Sequence, residues 1–150
     1  FRFVSWIGER YIHGVVFDFI KKLRKNPKEL EILGNGKQKK SYLYVKDGVR
    51  GILTALRSSP RGSKHIFNLG HDKTLEVTKI AAIVCREMGL KNVRLRYSGG
   101  VRGWLGDSPL VQLDTRRIKK LGWRAETGIP DGIARTARYL LQNPEALDRK

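Results

Sequence analysis

The chain alternates short apolar runs with longer amphipathic segments, and this alternation restricts its fold more than any other feature. Residues 1–7 and 65–69 are short, apolar and rich in β-prone side chains. Between them, Val16, Ile20 and Leu23 recur at the spacing of one helix face, and lysines and arginines occupy the opposite face. Strands that alternate with helices are typical of an α/β domain. A chain of 150 residues is also long enough to bury a core.

A glycine-flanked asparagine predicts one hairpin. Asn35 lies between two glycines, and Asn-Gly suits the type I′ turn that joins two antiparallel strands. The segments on either side, 30–33 and 41–45, are apolar enough to be strands. We therefore expect these two segments to pair with each other directly.

Two amphipathic helices are predicted in the middle and at the end of the chain. Asp47 is expected to cap a helix over residues 47–58, and a second helix is expected over 131–142. We expect the remaining residues, 143–150, to form a frayed tail outside the domain of residues 1–142. The predicted buried stripe of the first helix comprises Val49, Ile52, Leu53 and Leu56, and that of the second comprises Ile133, Ala134, Ala137, Leu140 and Leu141.

The net charge of +17 points to an anionic partner. Lysine and arginine provide affinity for phosphates, so nucleic acid and a small anionic substrate are both open. The basic residues are spread along the chain, and no helix-turn-helix, zinc-finger or RNP-like motif accompanies them. We favour the small anionic substrate and keep a basic nucleic-acid-binding module as the alternative.

Cysteine and histidine usage indicates neither disulfides nor a metal centre. Cys85 is the only cysteine, so no internal disulfide is possible, and this fits a reducing, cytoplasmic location. His13, His65 and His71 are scattered without carboxylates at ligand spacing, so we predict no metal site. No apolar run of 18 residues and no signal peptide is visible, so we expect no membrane partner.

Residues 98–109, reading SGGVRGWLGDSP, combine four glycines with an arginine, an aromatic residue and an acid. Glycines let the backbone approach a ligand closely, and the Arg102 guanidinium suits a diphosphate. Asp107 can accept a hydrogen bond from an arginine or a sugar hydroxyl. Trp104 either covers a ligand ring or fills a core. By residue chemistry alone, this stretch is either a diphosphate-binding loop or a surface loop.

Four segments in this order resemble one known family. RFVSWIGERYIHGVVFDFI, LEILGNGKQKKSYLYVKD, HIFNLG and RGWLGDSP are similar to the C-terminal part of extended short-chain dehydrogenases/reductases. The likeness is to their NAD-dependent nucleotide-sugar epimerases and dehydratases, of the UDP-glucose 4-epimerase type. The resemblance implies the C-terminal substrate-binding portion of a Rossmann-type α/β enzyme, including strands that complete a nucleotide-binding sheet.

The first of these segments implies contacts to a nucleotide sugar, with a UDP-sugar expected. Relatives carry R-[FY]-x-N-x-x-G, in which the Asn contacts the substrate. Ser5 stands in its place here and retains a hydrogen-bonding group with shorter reach. His13, Gly14 and Val15 match the loop and helix start that lie over the diphosphate.

The later segments imply the remaining contacts. Lys40 stands where many relatives carry an arginine, so the charge is kept and the bidentate geometry is lost. Tyr42 follows two residues later and is included among the substrate-binding residues. Arg102 and Asp107 match the diphosphate-binding arginine of the family and its neighbouring acid.

The resemblance also implies what lies elsewhere in a complete enzyme. The NAD-binding glycine loop and the catalytic Tyr-x-x-x-Lys pair of the family belong before Phe1, and the chain does not begin with Met. We therefore expect a fragment or processed product that has no NAD site or catalytic residue and is inactive alone. We expect the parent enzyme to use NAD and to be a homodimer. A truncated, non-catalytic scaffold remains a further alternative.

Overall fold

The computed structural model describes residues 1–59, 62, 64–108 and 110–148. Pro109, which ends the glycine-rich stretch, and the last two residues of the predicted tail lie outside them. In chain order the elements are β1 (Arg2–Phe3), β2 (Ser5–Ile7), α1 (Gly14–Lys25), β3 (Glu29–Ile32), β4 (Lys39–Lys40), β5 (Tyr42–Tyr44), α2 (Val45–Ser58), β6 (Asn68–Leu69), β7 (Leu75–Glu76), α3 (Val77–Glu87), β8 (Arg94–Tyr97), β9 (Leu110–Val111), α4 (Arg116–Lys119), α5 (Ile129–Gln142) and α6 (Glu145–Asp148).

Most strand pairs are short and parallel. β1 pairs with β6, β2 with β5 and β3 with β8, all in parallel. A further three-stranded sheet places β4 between β7, which is antiparallel to it, and β9, which is parallel. Parallel strands need long crossovers, and helices make these connections. The α/β class expected from the sequence is therefore confirmed.

The main core lies where α1, α3 and α5 pack together against the strands. Ile20, Ile80 and Ile133, one from each helix, are fully buried. A second, smaller cluster surrounds Leu69 and Trp123, beside α2 and α4. Among the described residues, no helix combines the length and apolar character needed to cross a membrane.

The N-terminal run divides into two strands that have different partners. Residues 2–3 pair with β6, whereas residues 5–7 pair with β5, and the buried Val4 separates them. The Val4 N–H still donates to the Leu69 carbonyl at 3.3 Å. The apolar, β-prone run of residues 1–7 is therefore two strands, of which the first is exposed.

The predicted hairpin around Asn35 is wrong. The turn exists, since Gly34 and Gly36 have φ of 79° and 73°. However, β3 pairs in parallel with β8, in the register Leu30 to Leu95, and β5 pairs with β2. Long-range parallel pairing has replaced the local antiparallel pairing that the turn favours.

The helix α2 is buried by the opposite face from the one predicted. Gly48, Gly51 and Ala55 are buried, whereas the predicted stripe is largely exposed. A Cβ at Gly51 would lie 2.7 Å from Leu69 Cδ2, so only a glycine permits this approach. Asp47 lies within the first turn of the helix, and its side chain does not cap it. Val49, Leu53 and Leu56 of that stripe are 47%, 44% and 70% exposed.

The C-terminal helices bury more of the chain than expected. α5 begins two residues earlier than predicted, and Ile133, Ala137 and Leu140 of its predicted stripe are fully buried. The tail is not frayed over residues 145–148, because α6 forms there and its Ala146 and Leu147 pack into the main core.

Candidate functional site

One cavity of about 440 Å³ lies between the start of α1, the strands β2, β4 and β5, and the loop before β9. It brings together segments that are far apart in the chain. Seven of the eight residues predicted to bind substrate line it, namely Ser5, His13, Gly14, Val15, Lys40, Tyr42 and Asp107.

The first wall of the cavity is the start of α1. Gly14 opens the helix with φ of 77°, and His13 is the N-cap residue with an extended backbone. The His13 side chain makes no capping hydrogen bond to the N–H groups of the first turn. The N-terminal end of a helix carries partial positive charge and unpaired N–H donors, so this wall favours an anion.

Lys40 and Asp107 form an ion pair in the second wall. The Asp107 carboxylate is nearly fully buried and also accepts the Gly103 N–H at 3.0 Å. Burial alone would raise the pKa of Asp107, but the bonds from Lys40 and Gly103 outweigh it and hold the pKa below its usual value. A charged pair is therefore held in this wall of the cavity.

Tyr42 lies beside this pair and remains a neutral phenol. Burial raises its pKa, and the charge of Asp107 raises the pKa further. A Tyr-x-x-x-Lys spacing to Lys46 is present in the sequence, but Tyr42 lies on β5 and Lys46 on α2. In its buried position Tyr42 can donate a hydrogen bond to a ligand and is poorly suited to acting as a base.

Arg102 is the predicted site residue that does not line the cavity. Its side chain is exposed and donates weakly to the Leu105 carbonyl at 3.4 Å. Its neighbours Gly103 and Trp104 do line the cavity, so the loop reaches the site while the guanidinium points elsewhere. Trp104 is 64% exposed and therefore does not fill a core.

Gln38 is a buried residue of the cavity wall that was not predicted from the sequence. Its Nε2 donates to the Leu33 carbonyl at 2.9 Å, and its Oε1 has no hydrogen-bond partner among the described residues. A buried oxygen that accepts no hydrogen bond is uncommon in folded proteins, so a donor from a ligand would satisfy it. Gln38 is buried because it packs closely against Gly34 and Gly103, and no local sequence pattern indicates that packing.

The described residues do not fit an NAD pyrophosphate cradle. Such a cradle needs closely spaced glycines between a strand and a helix. After β2, a Cβ at Gly8 would lie 2.5 Å from the side chain of Val45, so this glycine packs against protein. The glycines after β3 lead into an extended segment instead of a helix. The described residues therefore give no basis for a hydride-transfer step in this chain.

Residues 1–70 match the family model described as the NAD dependent epimerase/dehydratase family. Over 129 residues the chain is 30% identical to a trifunctional UDP-glucose 4,6-dehydratase/UDP-4-keto-6-deoxy-D-glucose 3,5-epimerase/UDP-4-keto-L-rhamnose-reductase of Arabidopsis thaliana, covering 82% of this chain and 18% of that protein. It is 28% identical to a putative UDP-glucose 4-epimerase of Methanocaldococcus jannaschii, covering 87% of this chain and 40% of that one.

The fold is similar to that of a UDP-galactose 4-epimerase crystal structure. The TM-score is 0.80 at 33% identity, over 95% of this chain and 44% of the other. The chain thus spans less than half the length of each of these relatives. The family model over residues 1–70, the shared sequence and the shared Rossmann-like fold agree, and all three make the chain similar to the NAD dependent epimerase/dehydratase family.

Proposed function

We propose that this chain binds the nucleoside diphosphate of a UDP-sugar for an NAD-dependent epimerase or dehydratase. The observation that carries the proposal is the single cavity in which Lys40 and the N-terminal end of α1 face the same space. A diphosphate needs both positive charge and N–H donors, and these two elements supply them.

The residues divide the work of holding such a substrate. Lys40 provides a positive charge, and Asp107 holds that lysine in the cavity wall. Ser5 and Tyr42 provide hydroxyl groups for hydrogen bonds to the substrate. Arg102 lies on a loop that already reaches the cavity, and its long side chain can turn toward a bound phosphate. Binding energy of this kind orients the sugar for chemistry carried out elsewhere.

The chemistry itself belongs, in this proposal, to an NAD-binding half in a longer polypeptide. NAD supplies hydride transfer when it is bound. The 150-residue chain alone is then inactive, and a complete enzyme acts in the cytoplasm as a homodimer. The names of the relatives favour a nucleotide sugar and give no support to nucleic acid as the partner.

Calorimetric titration of the chain with UDP tests the proposal. Lys40→Met is expected to weaken UDP binding by about tenfold or more, because a charged hydrogen bond is lost. Lys40→Arg retains the charge, gains bidentate geometry and is expected to bind at least as tightly as the wild type. Lys39→Met is the matched control, since Lys39 is adjacent, half exposed and paired with Glu76.

Two results would overturn the proposal. One is the absence of UDP binding to wild-type chain whose circular dichroism shows that it is folded. The other is equal UDP affinity in the wild type, Lys40→Met and Lys39→Met. Lys40→Arg retains an ion-pairing partner for the buried carboxylate of Asp107, so it stays informative if Lys40→Met unfolds.

A further inference from the structure

Trp104 is a large aromatic residue held at the mouth of the cavity without being buried. It lines the cavity, yet 64% of the residue remains exposed. Isolated exposed apolar residues are ordinary, but this indole borders the space that holds Lys40 and Asp107. The indole is therefore placed to contact a ligand that binds in this cavity.

The backbone around Trp104 is hydrogen-bonded to the charged pair. The Asp107 N–H donates to the Trp104 carbonyl at 2.9 Å, and the Asp107 carboxylate accepts the Gly103 N–H. The turn that carries the indole is thus tied to the residue that holds Lys40. The ring lies directly over Gly106, where a Cβ would be 2.4 Å from the ring atom Cζ3 of Trp104.

This loop meets the cavity beside Leu33 and Gln38. A Cβ at Gly103 would lie 3.3 Å from Gln38 Nε2 and 3.5 Å from the Leu33 carbonyl. Val77 also lines the cavity and donates its N–H to the Gln38 carbonyl. This end therefore offers an apolar surface, an indole and one buried oxygen that needs a donor. A flat ring that carries N–H groups matches all three, and a nucleobase is such a ring.

We propose that Trp104 covers the base of the bound nucleoside diphosphate. The proposal rests on the function proposed above, which places the diphosphate at Lys40. The base then lies on the side of Leu33 and Gln38, under the indole, and the sugar extends toward Ser5. Trp104 is in this arrangement a binding residue that recognises a ring face and takes no part in bond making.

Binding of UDP and of UDP-glucose to variants at position 104 tests this assignment. We expect Trp104→Ala to weaken both ligands by about tenfold and Trp104→Phe to retain most of the affinity, because stacking on a base needs an aromatic face. Leu105→Ala is the matched control, because Leu105 is the next residue and is 93% exposed. Both positions are largely exposed, so the three variants are expected to fold.

Acrylamide quenching of Trp6→Phe reports on the indole directly, because Trp123 is buried and contributes little. UDP is expected to protect Trp104 from the quencher. Unchanged UDP affinity in Trp104→Ala, or the absence of protection, would overturn the inference while the proposed function stands. A loss confined to UDP-glucose would place the indole over the sugar and also overturn it. If the wild type binds no UDP, the proposed function fails first, and this inference fails with it.

Discussion

Lys40 and Asp107 contact each other in the cavity wall, although they are 67 positions apart in the chain. Lys40 lies on a two-residue strand, and Asp107 lies in a glycine-rich loop. The ion pair therefore joins the loop to the sheet and gives the cavity its second wall.

The stability supplied by Asp107 is expected to depend on pH. Burial opposes ionisation, but the bonds from Lys40 and Gly103 hold its folded-state pKa below the unfolded value, which is about 3.9 for aspartate. A lowered folded-state pKa stabilises the fold fully above the unfolded value. The contribution is lost as the pH falls through the folded-state pKa. We expect Asp107→Asn to lower the free energy of unfolding by about 1–3 kcal/mol at neutral pH.

Urea unfolding of the wild type and Asp107→Asn across the acid range measures this effect. The difference between the two proteins is expected to shrink as the pH falls below about 4. Taking the difference removes the contributions of other acids, such as Glu9 and Asp72, whose pKa values are also lowered. A difference that stays constant through the acid range would contradict the prediction.

Arg102→Ala is expected to weaken UDP binding by about 1.5–3 kcal/mol if the guanidinium turns to the diphosphate. The free chain is not expected to change in stability, because the side chain is exposed. Arg94→Ala is the matched control, since it also removes one positive charge and its side chain is 79% exposed on β8. Equal UDP affinities in the two variants, measured by calorimetry, would show that Arg102 acts only through overall charge.

Asp47 is expected to be among the most sensitive polar positions for stability. Its buried carboxylate accepts the N–H groups of Glu126 and Thr127 at 3.2 and 2.8 Å and pairs with Arg50. Asp47→Ala leaves these donors without their acceptor and is expected to cost about 2–4 kcal/mol in urea unfolding. Asp131→Ala, which breaks a half-exposed pair on α5, is expected to cost at most about 1 kcal/mol. Similar losses in both variants would argue against this role for Asp47.

How well the sequence predicted each element depends on where its packing partner lies. The α5 stripe was predicted correctly because Ile133, Ala137 and Leu140 are buried by this chain itself. The hairpin was wrong because the partner of β3 is β8, which a local turn signal cannot identify. In α2, periodicity identified the apolar residues but not the buried face. The helix packs through Gly48 and Gly51, and a pattern of apolar side chains cannot identify glycines as packing residues.

The candidate site shows the same division. Resemblance to a family selected residues that the fold then placed around one cavity. It did not select Gln38, because the burial of that residue depends in part on Gly103, which comes from a distant segment. Composition gave a charge of +17 but no location for it. Ion pairs between β3 and β8, such as Arg94 with Glu29, neutralise part of that charge.

Exposed apolar residues lie at the N-terminus of the chain and, separately, on the exposed face of α2. At the N-terminus, Trp6 packs against the backbone of Gly48 on the buried face of α2, and its ring meets that of Phe3 edge-on at 5.0 Å. Phe3 in turn stacks on Phe1 at 6.1 Å. We call the exposed stripe of α2, with Val49, Leu53 and Leu56, the α2 patch. Exposed apolar surface of this kind is typical of an interaction site.

We expect the α2 patch to make the chain self-associate, and in a longer protein to dock the NAD-binding half. Sedimentation velocity is expected to show association that increases with concentration, because water is removed from exposed apolar surface. Replacing Leu53 and Leu56 by Gln is expected to shift the chain toward the monomer. The free energy of unfolding is expected to change by less than about 0.5 kcal/mol, because both residues are exposed. Leu105→Gln removes an exposed leucine from the loop before β9 and is expected to leave the association unchanged. A wild-type chain that stays monomeric at every concentration, or a double variant that associates as strongly as the wild type, would show that this surface needs no cover.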